Sequence, residues 1–211
     1  MSSMLKSVLT VHEGLAGTAR LRSLSRQGER ISAVEFGLLV LLGLAAAALS
    51  GLVKLNLQIP GHNIIRVIFP MALGLAVVPR RGAATIMGLS GSAGAGLFLL
   101  GGARGFGAGA VTSLVLTGFL LDLALVKARR GPSLYVRLVL AGLAANLAAL
   151  LVRGGSKVVG VGFPGLPLEL WWAKAVVSYT ACGALAGLAS ALVWFRFAAH
   201  PPGHSGDETA A

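Results

Sequence analysis

Residues 33–53 read AVEFGLLVLLGLAAAALSGLV. A predominantly apolar run of this length matches the helix of about 20 residues that crosses a hydrocarbon core about 30 Å thick. Five more stretches of the same kind follow: Pro60 to Val78, Ala83 to Leu100, Ala108 to Val126, Leu134 to Val152 and Trp171 to Phe195. The runs are continuous and do not alternate, which argues against a transmembrane barrel. The expected fold is an all-α integral membrane protein, a bundle of six transmembrane helices occupying residues 33–197. The second run is the least apolar, because it holds Arg66 and Pro70, and its opening Pro60 suits a first helical turn.

Composition agrees. Of 211 residues, 55% are hydrophobic and 12% charged, against about 25% charged in a soluble domain. Mean hydropathy is +0.82. A soluble enzyme, a nucleic-acid-binding domain and a disordered chain are excluded as descriptions of the whole. The net charge of +11 then reads as the basic excess of cytoplasmic loops. Cys182, alone of its type, leaves no internal disulfide and no cysteine metal cluster.

The flanks differ from the runs. Residues 1–32 are polar and basic, with scattered leucines, and read either as an interfacial helix on the cytoplasmic face or as a partly ordered tail. No signal peptide is expected, since the first apolar run starts only after thirty residues. Residues 198–211 are rich in Pro, Gly and acids and read as a disordered tail.

Counting Lys and Arg sets the orientation. One side holds Lys6, Arg20, Arg22, Arg26, Arg30, Arg80, Arg81, Lys127, Arg129, Arg130 and Arg196. The other holds Lys54, Arg104, Arg153 and Lys157. Both termini are therefore expected in the cytoplasm and the protein in the cell membrane. The longer outer connections lie around Gln58 to Asn63 and from Arg153 to Leu170, the second stiffened by Pro164 and Pro167.

Small residues predict where helices approach closely, because lipid supplies no hydrophobic drive for association. Gly88, Ser92 and Gly96 form one row of the third run, Gly91 and Ala95 a second. Gly183 and Gly187 mark the sixth. Gly43, Ala47 and Gly51 form a stripe on the first, read either as internal packing or as a partner-docking face.

Ionisable and polar groups inside spans are expensive and therefore informative. Asp122 and Arg137 lie about 7 Å and 6 Å from the inner end of antiparallel neighbours, and are expected to form a structural ion pair. The outer set is richer. His62 and Arg66 are i and i+4 on one face, Asn63 begins the same run, and Pro70 frees the Arg66 carbonyl. Asn146 lies in the outer half of the fifth run. Trp171, Trp172 and Lys174 open the sixth, with Tyr179 deeper. The tryptophans suit either interfacial anchors or pocket walls, and Lys174 either snorkels or contacts a ligand. Arg66 either contacts a ligand, pairs with Glu169 just before the sixth run, or snorkels. Together these residues suggest an outward-facing small-molecule site, with Arg66 and Lys174 meeting an anionic group.

Enzyme chemistry finds little support. Gly88-Leu89-Ser90-Gly91 matches the G-x-S-G of rhomboid proteases, but no histidine lies in the later runs to serve as base. His12, His200 and His204 sit in the tails without partner ligands, so no metal site is expected. There is no phosphate loop, and no cofactor is implied.

Six runs, both termini inside, the small-residue stripe, the approach Leu57-Gln58-Ile59-Pro60-Gly61-His62 with an arginine soon after, and Gly118-Phe119-Leu120-Leu121-Asp122-Leu123 resemble an S component of an energy-coupling-factor vitamin transporter. The resemblance covers roughly residues 33 to 197. It implies capture of a vitamin or precursor from outside, followed by delivery through a transmembrane T component and two ATPase subunits that bind the ATP. It also implies that Gly43, Ala47 and Gly51 meet the T component. The metal-binding branch, which uses a histidine near residue two, is disfavoured by Met1-Ser2-Ser3-Met4. Two other readings remain: a membrane scaffold or assembly subunit, and a stand-alone secondary transporter.

Overall fold

A computed structural model describes residues 31–52, 60–102, 108–126, 133–159 and 168–198. The basic N-terminal segment before residue 31, the acidic tail, the turn holding Lys127, Arg129 and Arg130, and the Phe163 to Pro167 connection lie outside the described residues. Within them are six helices: α1 (Ala33–Leu52), α2 (Asn63–Val77), α3 (Ala83–Leu100), α4 (Ala108–Val126), α5 (Ser133–Val158) and α6 (Leu168–Ala198). All but α2 are long and apolar enough to cross a membrane. The chain is a multi-pass helical membrane protein.

The packing order follows from chain connectivity and close approach. α1 packs on α3, α3 on α4, α4 on α5 and α5 on α6, while α2 packs on both α6 and α1 and reaches the other three. α1 and α6 share no packed interface. α2 thus closes the bundle between them. Its buried face is broad, running through Ile64, Val67, Ile68, Met71, Ala72 and Leu75, and all of these but Ala72 join the main apolar core with Leu39, Met87, Leu114, Leu121 and Leu138.

Glycines set the tightest seams. A Cβ on Gly118 of α4 would strike the Ala84 carbonyl of α3, and one on Gly187 of α6 would strike the Leu138 carbonyl of α5. Likewise, a Cβ on Gly43 of α1 would strike Ser90 Oγ and the Met87 carbonyl of α3, and Gly91 approaches the Gly43 carbonyl in return. These are the small-residue contacts that lipid-embedded helices need.

Three expectations change. α2 starts at Asn63, because Pro60, Gly61 and His62 form a turn in which Gly61 has φ +82°. At 15 residues it spans about 22 Å, short of the hydrocarbon thickness. α5 does not stop at Val152 but continues through Arg153-Gly154-Gly155-Ser156 to Val158, since the absent Cβ of Gly154 admits the Trp172 indole against the helix. α6 begins at Leu168 rather than Trp171.

A fourth change concerns Asp122. Its carboxylate accepts hydrogen bonds from the Ala84 amide at 3.3 Å, the Thr85 amide at 2.8 Å and the Thr85 hydroxyl at 2.6 Å. It forms no ion pair with Arg137 among the described residues. The reason lies in α3, whose N-cap is Gly82, with φ +82° and no side chain to cap it. Asp122 supplies that cap from α4, where the exposed amides and the positive end of the helix dipole favour a carboxylate.

Candidate functional site

His62, Asn63, Arg66 and Asn146 gather at the start of α2. Gly61 lies flat against Tyr179: a Cβ there would stand 2.8 Å from the Tyr179 Cγ. The positive φ and the close approach both require glycine. Asn146 fixes the arrangement. Its Nδ2 donates to the Gly61 carbonyl at 3.3 Å and to the Tyr179 carbonyl at 2.7 Å. One buried amide, 2% exposed, thereby ties α5 to α6 and to the turn before α2. Both its donors are committed, which leaves Oδ1 as its acceptor.

The α2 side is equally anchored. Asn63 Nδ2 donates to the Ser50 hydroxyl of α1. One turn on, Arg66 Nη2 and His62 Nε2 are 2.9 Å apart, as the i, i+4 spacing allows. Both side chains are half-buried. They share a stripe of α2 with Ile65 and Phe69, which are exposed. A guanidinium one turn inside a helix N-terminus, beside an imidazole, suits an anion.

The aromatic residues fall into a second group. Trp171 is buried and meets Trp172 edge to face, ring centroids 5.4 Å apart and planes at 73°. Trp171 and Tyr179 form a small core with Ala149, Leu150 and Ala175, and Trp172 packs against it. They wall the α5–α6 seam. Lys174 is exposed on another side of α6. The Glu169 side chain lies outside the described residues.

Other sequence-singled residues fall elsewhere. Gly43 and Ala47 are buried under α3, so this part of the α1 stripe is an internal seam and not an open docking face. Gly51 is half-buried near the end of α1. Ser90 donates to the Met87 carbonyl at 3.1 Å, as a helix-packing hydroxyl does.

Some contributors were not singled out in the sequence. Ser50 and the contacts of Gly61 lacked a readable signal, since their partners lie 13 and 85 residues away. Glu35 had one: Ser32-Ala33-Val34-Glu35 is a capping box. Glu35 accepts from the Ser32 amide at 2.8 Å while its own amide donates to the Ser32 hydroxyl at 3.2 Å. Arg80 in the α2–α3 turn reaches the same carboxylate at 2.9 Å, clamping α1 to that turn at the opposite end of α2. Ser113 and Thr117 of α4 bury their hydroxyls without hydrogen-bond partners.

A cavity lined by Ala72, Leu75, Leu121, Leu125, Leu138 and Ser190 measures about 10 Å³, at the lower limit for one water. Among the described residues no three His, Cys, Asp or Glu side chains gather to hold a metal. No protein-family model, curated protein or solved structure matches the chain.

Proposed function

We propose that the protein is a solute-capture subunit of the energy-coupling-factor type, taking a small anionic solute at the outer end of α2 and handing it to a T component and ATPase subunits. The observation that carries this reading is the His62–Arg66 pair. It stands one turn inside a helix N-terminus, on a turn pinned by Asn146 and Tyr179. Anchoring of this kind holds a cationic group in place before a ligand arrives. Arg66 meets the anion, His62 and Asn63 flank it, and the Asn146 Oδ1 remains able to accept a hydrogen bond. Trp171, Trp172 and Tyr179 act as rigid walls behind the turn. Lys174, exposed on α6, adds positive charge to that end of the molecule. With both termini cytoplasmic, this end faces outward. The chain itself catalyses no reaction in this reading, and energy comes from the partner subunits.

The small size of the cavity between α2, α4, α5 and α6, about 10 Å³, favours a second reading, a scaffold or assembly subunit without a ligand. One experiment separates them. The purified full-length protein is incubated with a water-soluble metabolite extract and a lipid extract of its native cells, and retained molecules are identified by mass. Enrichment of an anion by the wild type and not by Arg66→Ala supports capture. Equal retention by both, or none, supports the scaffold.

A further inference from the structure

The outward stripe of α2 has Ile65 and Phe69 at its centre and Arg66 at its border, half-buried with its Nε enclosed. His62, Ile65, Arg66, Phe69, Leu73 and Ala76 follow the i, i+3, i+4 row of one helix face. Ile65 is 41% and Phe69 52% exposed, and the other four are half-buried. The opposite face of α2 is in the core.

The place of α2 gives this stripe a particular setting. The five long helices form an arc from α1 through α3, α4 and α5 to α6, and α2 packs on both of its ends. α1 and α6 do not pack on each other, so the outward side of α2 is the surface presented at the gap. α2 is also about 8 Å shorter than the hydrocarbon core. At this gap the bilayer meets a short helix with apolar side chains at mid-depth and a cation near its N-terminus. Arg66 lies about 4.5 Å and Phe69 about 9 Å along α2 from Asn63. Helical side chains lean toward the N-terminus, which carries the guanidinium toward headgroup level, where His62 holds it.

We propose that this stripe binds one anionic phospholipid drawn laterally from the bilayer, its headgroup phosphate on Arg66 and His62 and an acyl chain along Ile65 and Phe69. The inference rests on the capture reading for Arg66 and names the class of ligand that the site takes. Charge complementarity selects the occupant among anions: a guanidinium pairs with a phosphate in fork geometry, and the apolar groups below it match an acyl chain. A zwitterionic lipid carries its own cation beside the phosphate and is the poorer match.

The test is equilibrium binding to the full-length protein, stripped of lipid in a neutral detergent. The probes are dioleoyl phosphatidylglycerol, dioleoyl phosphatidylcholine and inorganic phosphate. The expected result is one phosphatidylglycerol per chain, bound in preference to phosphatidylcholine. Arg66→Ala weakens it about fivefold, as loss of one basic residue at a lipid surface does. Phe69→Ala weakens it several-fold through lost apolar contact. Arg66→Lys, which keeps the charge and loses the fork, falls between and serves if Arg66→Ala does not fold. Inorganic phosphate displacing the lipid at matched affinity, with Phe69→Ala without effect, overturns the lipid assignment and leaves an anion site at Arg66. Binding of both lipids alike, insensitive to Arg66 and Phe69, overturns the lipid assignment and the capture reading together.

Discussion

Asn146 shows how much one polar side chain settles in a bundle that lipid does not hold together. Its two donors satisfy carbonyls in the turn before α2 and in α6. Asn146→Leu keeps the volume and removes both bonds. Interhelical hydrogen bonds in membranes contribute about 0.6 kcal/mol on average and up to about 1.7. The variant is expected to unfold at lower denaturant in detergent by an amount in that range, with the chain still helical by circular dichroism. Asp122 offers a sharper contrast. Asp122→Ala leaves the Ala84 and Thr85 amides without their acceptor and costs about 1 kcal/mol, the usual worth of a cap. Arg137→Ala leaves the Asp122 hydrogen bonds intact and is expected to cost less. Equal losses, with no additivity in the double variant, would restore the ion pair that the sequence suggested. That pair was a reasonable inference from depth and charge. It failed because the uncapped N-terminus of α3, opened by Gly82, offers the carboxylate three donors at once.

At the scale of helices, the long apolar runs gave bounds close to those observed for α1, α3 and α4, since nothing but length and apolarity defines a membrane helix. The departures have local causes. The fifth apolar run ends at Val152, yet Trp172 packs into the space that Gly154 leaves and α5 continues. Pro60 read as a first helical turn, yet the positive φ of Gly61 places it in a turn outside α2. Both depend on a partner far along the chain, which periodicity does not reveal. The glycine seams yield a graded prediction. Gly43→Leu and Gly187→Leu drive a side chain into α3 and α5 backbone respectively, where overpacking costs about 1–3 kcal/mol, and are expected to lower monodisperse yield on size exclusion. A Cβ at Gly37 or Gly96 meets nothing within 4 Å, and Gly37→Leu and Gly96→Leu are expected to purify like the wild type. A seam that tolerated Gly43→Leu would reopen α1 as a surface for a partner.

Across the whole molecule, the α2 helix joins fold and function. It is the shortest of the six helices and packs on all the others, its inner face in the core and its outward stripe carrying His62 and Arg66. The sequence placed Arg66, His62, Asn63 and Asn146 at one end of the bundle, because depth follows from counting residues along antiparallel spans. It did not show which way each pointed. The sequence suggests an outward-facing site with aromatic walls; in the structure the aromatic residues pack in the α5–α6 seam and the cation lies at the border of an outward stripe. The clamp between Glu35 and Arg80 holds the other end of α2 to α1. Glu35→Ala removes the α1 cap as well as the clamp, so it is expected to lower thermal stability more than Arg80→Ala does.

Native mass spectrometry of the full-length protein, extracted gently with its surrounding lipid, tests the role of Arg66 most directly. The expected spectrum shows a one-to-one anionic adduct on the wild type that is lost in Arg66→Ala while Lys174→Ala retains it. The same adducts on the wild type and on Arg66→Ala would contradict anion capture at α2.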